Sequence, residues 1–243
     1  MNGQPDTRRC SEELVEILSW VAGLGAATAE SLARARGWGV ASARARLSLA
    51  ERRGLLSAWR PLRDQPALYT VTRAGLRAAG MVGIEPARVA SGGARHAVLC
   101  SLVAAELRHL YPCHRVIGEA ELRREERDAG ALLASAQVPG REQAKHRPDL
   151  ALLPAGAGRR AIAVEVEVTV KSPRRLAAIC LAWSRARHLG GVLYLAGEGV
   201  RPALGRAIDQ TRSGGRIAVV ALESLERADG STGAIERAIA GGA

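Results

Sequence analysis

Asp149, Glu165, Glu167 and Lys171 carry the chemistry this sequence has to offer. Asp149 follows His146-Arg147-Pro148 and opens an apolar run, Leu150-Ala151-Leu152-Leu153. The other three lie in Ala161-Ile162-Ala163-Val164-Glu165-Val166-Glu167-Val168-Thr169-Val170-Lys171, a β-branched, strictly alternating segment that reads as a strand. Side chains two apart share one face of a strand, so Glu165, Glu167, Thr169 and Lys171 are expected on one side. Val164, Val166, Val168 and Val170 then take the other. Gly156 and Gly158 supply a turn, so the two strands can pair as a hairpin that brings Asp149 near Glu165. Three carboxylates at one sheet edge repel one another unless compensated, and a divalent cation is the natural compensator. His146 either assists or pairs with a carboxylate.

The balance of charge says what such a site would meet. The chain has 243 residues and a formal net charge of +11, which favours a polyanionic partner, nucleic acid or an acidic membrane surface. Arginine supplies nearly all of it. Lysine occurs only at 145 and 171, both flanking the central motif. A GC-rich genome that swaps lysine for arginine accounts for this, as does retention of a compact, titratable ammonium where a guanidinium would not serve. Cys10, Cys100, Cys113 and Cys180 are scattered with no Cys-x-x-Cys spacing, so free thiols in a reducing compartment are expected, and no zinc site. With no signal sequence and no run of about 18 apolar residues, the expected location is cytoplasmic and no membrane partner is expected.

The elements before the motif suggest how a polyanion would be held. Ser11 caps an expected helix with Leu14, Ile17, Leu18 and Val21 on its inner face, ended by Gly23-Leu24-Gly25. Thr28 caps a second helix, Ala29 to Arg36, broken by Gly37-Trp38-Gly39. A third, from about Val40 to Arg53, carries Ser42, Arg44, Arg46, Arg52 and Arg53, with Leu47 and Leu49-Ala50 inward. Leu55 to Arg60 and Ala67 to Val71 read as paired strands around the turn Pro61 to Pro66, and Thr72 caps a closing helix. Three helices and a hairpin are the order of a winged helix-turn-helix, in which the third helix enters the major groove and the wing touches the backbone. Ser42, Arg44, Arg46, Arg52, Arg53 and Arg60 are the expected DNA-binding residues. The alternative is the same fold used for protein contacts, with Arg44 and Arg46 solvated. Residues 1–90 hold thirteen arginines against eight acids.

Domain 1–80 is thus followed by a Gly/Pro/Ser-rich linker, 81–95, a second domain, 96–230, and a tail, 231–243. In the second domain His96 to Leu110 is a periodic helix, whose Glu106 is expected to pair with Arg108 or a neighbour. Arg115 to Gly118 is a strand, Glu119 to Asp128 a charged helix solvated on most sides, and 129–145 loop-like. After the two central strands, Ser172 caps a helix with Pro173 at its first position, running to about Leu189. Val192 to Ala196, a helix from Pro202 to Thr211, the strand Arg216 to Leu222 and a last short helix complete the order.

That order, with Pro148-Asp149 opening one strand and Glu165-x-Glu167 on the next, resembles the PD-(D/E)XK nuclease-like αβββαβ core. More narrowly, residues 12–222 look like the replication-relaxation family of bacterial plasmid and mobile-element proteins, in which a winged helix precedes a nuclease-like domain. The residues that carry the likeness are His146-Arg147-Pro148-Asp149, Glu165-Val166-Glu167-Val168-Thr169 with Lys171-Ser172, and the arginine-bearing helix from Pro173 with Val192-Leu193-Tyr194. The fold class expected is therefore α/β in the α+β sense. The resemblance implies that Asp149 and Glu165 hold Mg2+ or Mn2+, with Glu167 a further candidate ligand and Lys171 completing the catalytic set. Active members of the nuclease fold have a lysine two residues after the strand carboxylate, and here Glu167 takes that place. Lys171 lies four residues further, about 13 Å along an extended strand, and substitutes only if the strand ends or bends before it. Two readings stand: a DNA-binding protein of plasmid or mobile-element replication or transfer with a degenerate nuclease core, and a metal-dependent DNA endonuclease targeted by its winged helix. A homodimer is compatible with either.

Overall fold

The computed structural model describes residues 5–60, 65–139, 144–156 and 158–224, with 5–11 and 224 as backbone only. Most of the turn 61–66, the alanine between Gly156 and Gly158, the expected last helix and the tail lie outside the described residues. The chain is a mixed α/β protein that divides into two compact units, Met1–His109 and Leu110–Ala243.

The first unit opens with three helices, α1 (Pro5–Leu24), α2 (Ala29–Arg36) and α3 (Val40–Arg52). Thr28 and Ser31 form a reciprocal capping box at the start of α2, and Gly37, at φ 65°, ends it in the left-handed conformation that glycine adopts without strain. Strands β1 (Leu56–Trp59) and β2 (Leu68–Val71) pair antiparallel, Leu56 opposite Val71. Helix α4 (Arg73–Ala78) follows directly, with Thr72 capping the Gly75 amide. Ile17, Leu18, Val21, Leu32, Leu47, Leu56 and Leu68 form the buried interior. Helix α5 (Ala94–Leu110) also falls in this unit, although the sequence suggested a linker followed by a new domain at 96. The physical reason is packing: Ala94 and Val98 join Ala26 and Leu68 in one buried cluster. Glu106 on α5 is taken by Arg34 of α2 through two hydrogen bonds, at 2.8 and 3.1 Å. Arg108 instead lies over the Trp20 ring.

The second unit is built on a five-stranded sheet of order β3-β6-β7-β8-β9. Strand β3 (His114–Gly118) leads into α6 (Glu119–Ala129), and two short strands follow, β4 (Ala136–Gln137) and β5 (Lys145–His146). These pair with each other inside the segment read as loop. Then come β6 (Leu150–Pro154), β7 (Ile162–Glu167), α7 (Pro173–Arg185), β8 (Gly191–Ala196), α8 (Arg201–Thr211) and β9 (Ile217–Ala221). The β3–β6 and β6–β7 pairs are antiparallel, and β7–β8 and β8–β9 are parallel. Strand β8 is buried at every residue, as a parallel strand covered on both faces must be. Trp183, Tyr194, Leu176 and Leu204 lie in the core cluster.

Candidate functional site

The β6–β7 hairpin puts the first two acids side by side. Leu150 pairs with Val164, so Asp149 enters the hairpin one step beyond the last ladder position, beside Glu165. Asp149 Oδ2 accepts the Val166 amide at 2.8 Å, which fixes the carboxylate against β7. Glu165 is 3 % exposed and sits opposite Tyr194 of β8. Its Oε1 lies 2.6 Å from His146 Nε2, on β5. The imidazole meets the Trp183 ring edge to face, with centroids 5.2 Å apart. Trp183 Nε1 in turn donates to the Tyr194 hydroxyl at 3.2 Å. A dry aromatic wall therefore backs the acid. Burial pushes the Glu165 carboxyl up, opposed by the hydrogen bond and charge of His146. The same burial, reinforced by Glu165, raises the Cys180 thiol to about 11 and Tyr194 well above the usual phenol range.

Strand β7 does not run to Lys171 as the alternation suggested; it ends at Glu167. The Glu167 carbonyl accepts the Gly197 amide, and the Ser172 cap, five residues later, and Pro173, at the first turn of α7, commit the chain to a helix. Thr169 and Val170 are consequently exposed rather than ranged along a strand face. The bend brings Lys171 back, and its Nζ meets Glu167 Oε2 in an ion pair. The oxygen makes no hydrogen bond of good geometry, so its compensation among the described residues is purely coulombic. Burial lowers the Lys171 ammonium against the pull of Glu165 and Asp149, so this lysine also senses both other acids. Asp149, Glu165, Glu167, Lys171 and His146 are thus one charge-coupled group.

Asp149, Glu165, Glu167 and His146, all among the described residues, do not bring three ligand atoms within 4.8 Å of one another, so the fit to a cation rests on donor type. Asp149 and Glu165 present carboxylate oxygens, the ligand type Mg2+ and Mn2+ take. Glu165 is held in a dry environment that favours its protonated form, and a bound cation would restore the charge. Glu167 is engaged by Lys171, and His146 by Glu165, so each acid has a partner within the protein.

The arginines expected at DNA separate into two groups. Arg46 is tied inward: its guanidinium meets Glu13 and Ser42 and lies 4.5 Å from the centre of the Trp38 ring. Ser42 is used as its acceptor. Arg44 is exposed and makes a long ion pair, 3.4 Å, with Glu30. Arg52, Arg53 and Arg60 are exposed and, among the described residues, form no ion pair. Ala43, Leu47 and Ala50 bury the opposite face of α3.

Sequence reasoning missed Glu126, which it placed on a solvated helix. It is 4 % exposed, and its carboxylate accepts the amides of Leu133, Ala134 and Ser135 and the Ser135 hydroxyl. Arg147 Nε lies 4.0 Å away. The signal was present in the spacing: Leu122 and Glu126 are four apart and share the buried face of α6. The aromatic wall was missed for another reason, since pairing between Trp183 and Tyr194 depends on the crossover from β7 to β8. Comparison of the chain with protein-family models, with curated proteins and with solved structures finds no match.

Proposed function

We propose that this is a DNA-binding protein of the plasmid or mobile-element replication and transfer type, whose second unit is a nuclease-like domain that hydrolyses DNA phosphodiesters with a divalent cation. One observation carries the catalytic half of the reading: the end of β7 at Glu167, which returns Lys171 to the acids. Asp149 and Glu165 would hold the cation. When bound, it would polarise the scissile phosphate and lower the pKa of the attacking water. The Lys171 ammonium, partly desolvated beside Glu167, is suited to stabilise charge developing on the phosphate oxygens. His146 orients the Glu165 carboxylate through the 2.6 Å contact between Nε2 and Oε1. Arg52, Arg53 and Arg60 supply phosphate contacts from the first unit, with Arg44 available once its long ion pair to Glu30 opens.

A second reading rests on a different observation. Glu165 has His146, Glu167 has Lys171 and Asp149 has the Val166 amide, so the group is compensated without a cation. Such a site serves equally as a retired centre in a DNA-binding scaffold. Incubation with supercoiled plasmid in Mg2+ and in Mn2+, beside Asp149→Ala and an EDTA control, separates the two. Nicking that needs both metal and Asp149 establishes the nuclease. Plasmid that is shifted on a gel but stays intact leaves the scaffold, and plasmid neither cut nor shifted refutes both.

A further inference from the structure

The end of the sheet opposite the acids is strongly basic. Register places the loop before β7, the turn before β8 and the residue before β9 next to one another. Ile162 pairs with Gly191 and Val192 with Ile217, Gly190 N donates to Ala161 O at 2.8 Å, and Val192 N donates to Arg216 O at 2.9 Å. The backbones are close: a Cβ added at Gly190 would lie 3.3 Å from the Arg160 carbonyl. Arg159 and Arg160 are exposed on the first of these segments and Arg187 on the second. Arg216 closes the row, its Nη2 bridging the carbonyls of Ala186 and Leu189 at 2.7 and 2.8 Å. His114 begins β3 on the other side, opposite Pro154. Among the described residues none of the four arginines has an acidic partner. Their neighbours are like charges: Arg216 is lowered by burial and then by Arg187 and Arg160, and His114 by burial and then by Arg159.

We propose that this row, Arg159, Arg160, Arg187 and Arg216, is a second DNA-binding surface that grips the phosphate backbone of a duplex. The inference rests on the DNA-binding reading above and adds where the second unit is held. Its shape selects the partner. Strands lie about 4.8 Å apart, so from β7 to β9 the row spans roughly 10 Å. A single small anion cannot bridge that length, whereas a duplex strand offers a phosphate about every 3.4 Å of its axis. Strand β7 separates the row from the acids by about 17 Å at the usual rise. One unit thereby presents a cation-seeking end and a phosphate-seeking end, as a protein that holds DNA on one side and acts on it at another requires.

The test is binding of the full chain to a 20-base-pair duplex, followed by fluorescence anisotropy over a salt series. The variant Arg159→Gln/Arg160→Gln/Arg187→Gln is expected to reduce the slope of log K against log salt by about 2–3, near 0.9 for each phosphate no longer neutralised. Arg216 is left in place because it ties the turn before β8. The same three positions changed to lysine should keep the slope, and Arg123→Gln/Arg124→Gln/Arg127→Gln on α6, where acids already pair the arginines, should leave it unchanged. A wild-type slope in the glutamine triple, or an equal fall in the α6 triple, overturns the proposal while DNA binding stands. Loss of binding to phosphatidylserine vesicles with the duplex slope intact overturns it too. Failure of the wild-type chain to bind any duplex removes the DNA-binding reading itself.

Discussion

The Lys171–Glu167 pair predicts an asymmetric response to mutation. Glu167 is 4 % exposed, whereas the lysine side chain keeps 24 % of its surface. Removing the lysine, as in Lys171→Met, strands a carboxylate in a dry site, and breaking a buried pair in this way costs about 3–5 kcal/mol. Protonation sets an upper bound. An ordinary glutamate near 4.3 must take up a proton against pH 7, which costs about 1.36 kcal/mol for each of roughly 2.7 units, or about 3.7 kcal/mol. The expected loss is therefore about 3 kcal/mol at pH 7, falling to about 1 kcal/mol at pH 5, where protonation is nearly free. Removing the acid is milder. In Glu167→Gln the ammonium can turn toward water, and the loss should stay near 1 kcal/mol. The double variant should recover at least about 1 kcal/mol relative to Lys171→Met, because no charge is left stranded. Urea denaturation of the four proteins at pH 5 and pH 7 measures all of this. Equal losses for the two single variants, or a Lys171→Met deficit that does not shrink at pH 5, would refute the claim that Lys171 is the counter-charge of Glu167.

Glu165 gives a pH dependence of fixed sign. Its folded carboxyl is raised by burial, so the folded state binds the proton more tightly than the unfolded chain. That contribution is complete below the ordinary glutamate range and is lost as pH rises through the folded value. The stability of wild type relative to Glu165→Gln should accordingly decline from pH 4 toward pH 8, and millimolar Mg2+ should restore it only at the upper end; a flat or rising difference contradicts the assignment. Gly75 tests the first unit: a Cβ there would lie 2.1 Å from the Leu55 carbonyl oxygen and 2.7 Å from Val71 Cγ1. Gly75→Ala should cost about 1–3 kcal/mol by overpacking, despite the better helix propensity of alanine, and an unchanged melting temperature would show that α4 does not press on the hairpin.

Local chemistry made much of this fold legible. The Thr28 and Thr72 caps, the alternation of β7 and the Gly156–Gly158 turn each act over a few residues, and the hairpin that joins Asp149 to Glu165 follows from them. What escaped depends on distant partners. Alternation continued past Glu167, and only the Ser172–Pro173 helix start, weighed against the ladder to β8, decides where the strand stops. Arg46 has the same residue type as Arg52, and its inward orientation is set by Glu13, two elements away, and by Trp38 in the turn before α3. The packing of Ala94 and Val98 of α5 against Leu68 and Ala26 includes two alanines, which leave little periodic mark.

Glu126 has a consequence in time rather than in space. Its carboxylate gathers three successive amides, Leu133 to Ser135, across loops of only seven to nine residues. Closing so short a loop costs little chain entropy, so this knot can form before the long crossovers from β7 to β8 and from β8 to β9. Those three amides lie outside every helix and strand, where exchange with solvent deuterons is ordinarily fast. Bound to a buried carboxylate, they should exchange on the slow timescale of the sheet, making an irregular segment one of the last in the second unit to open.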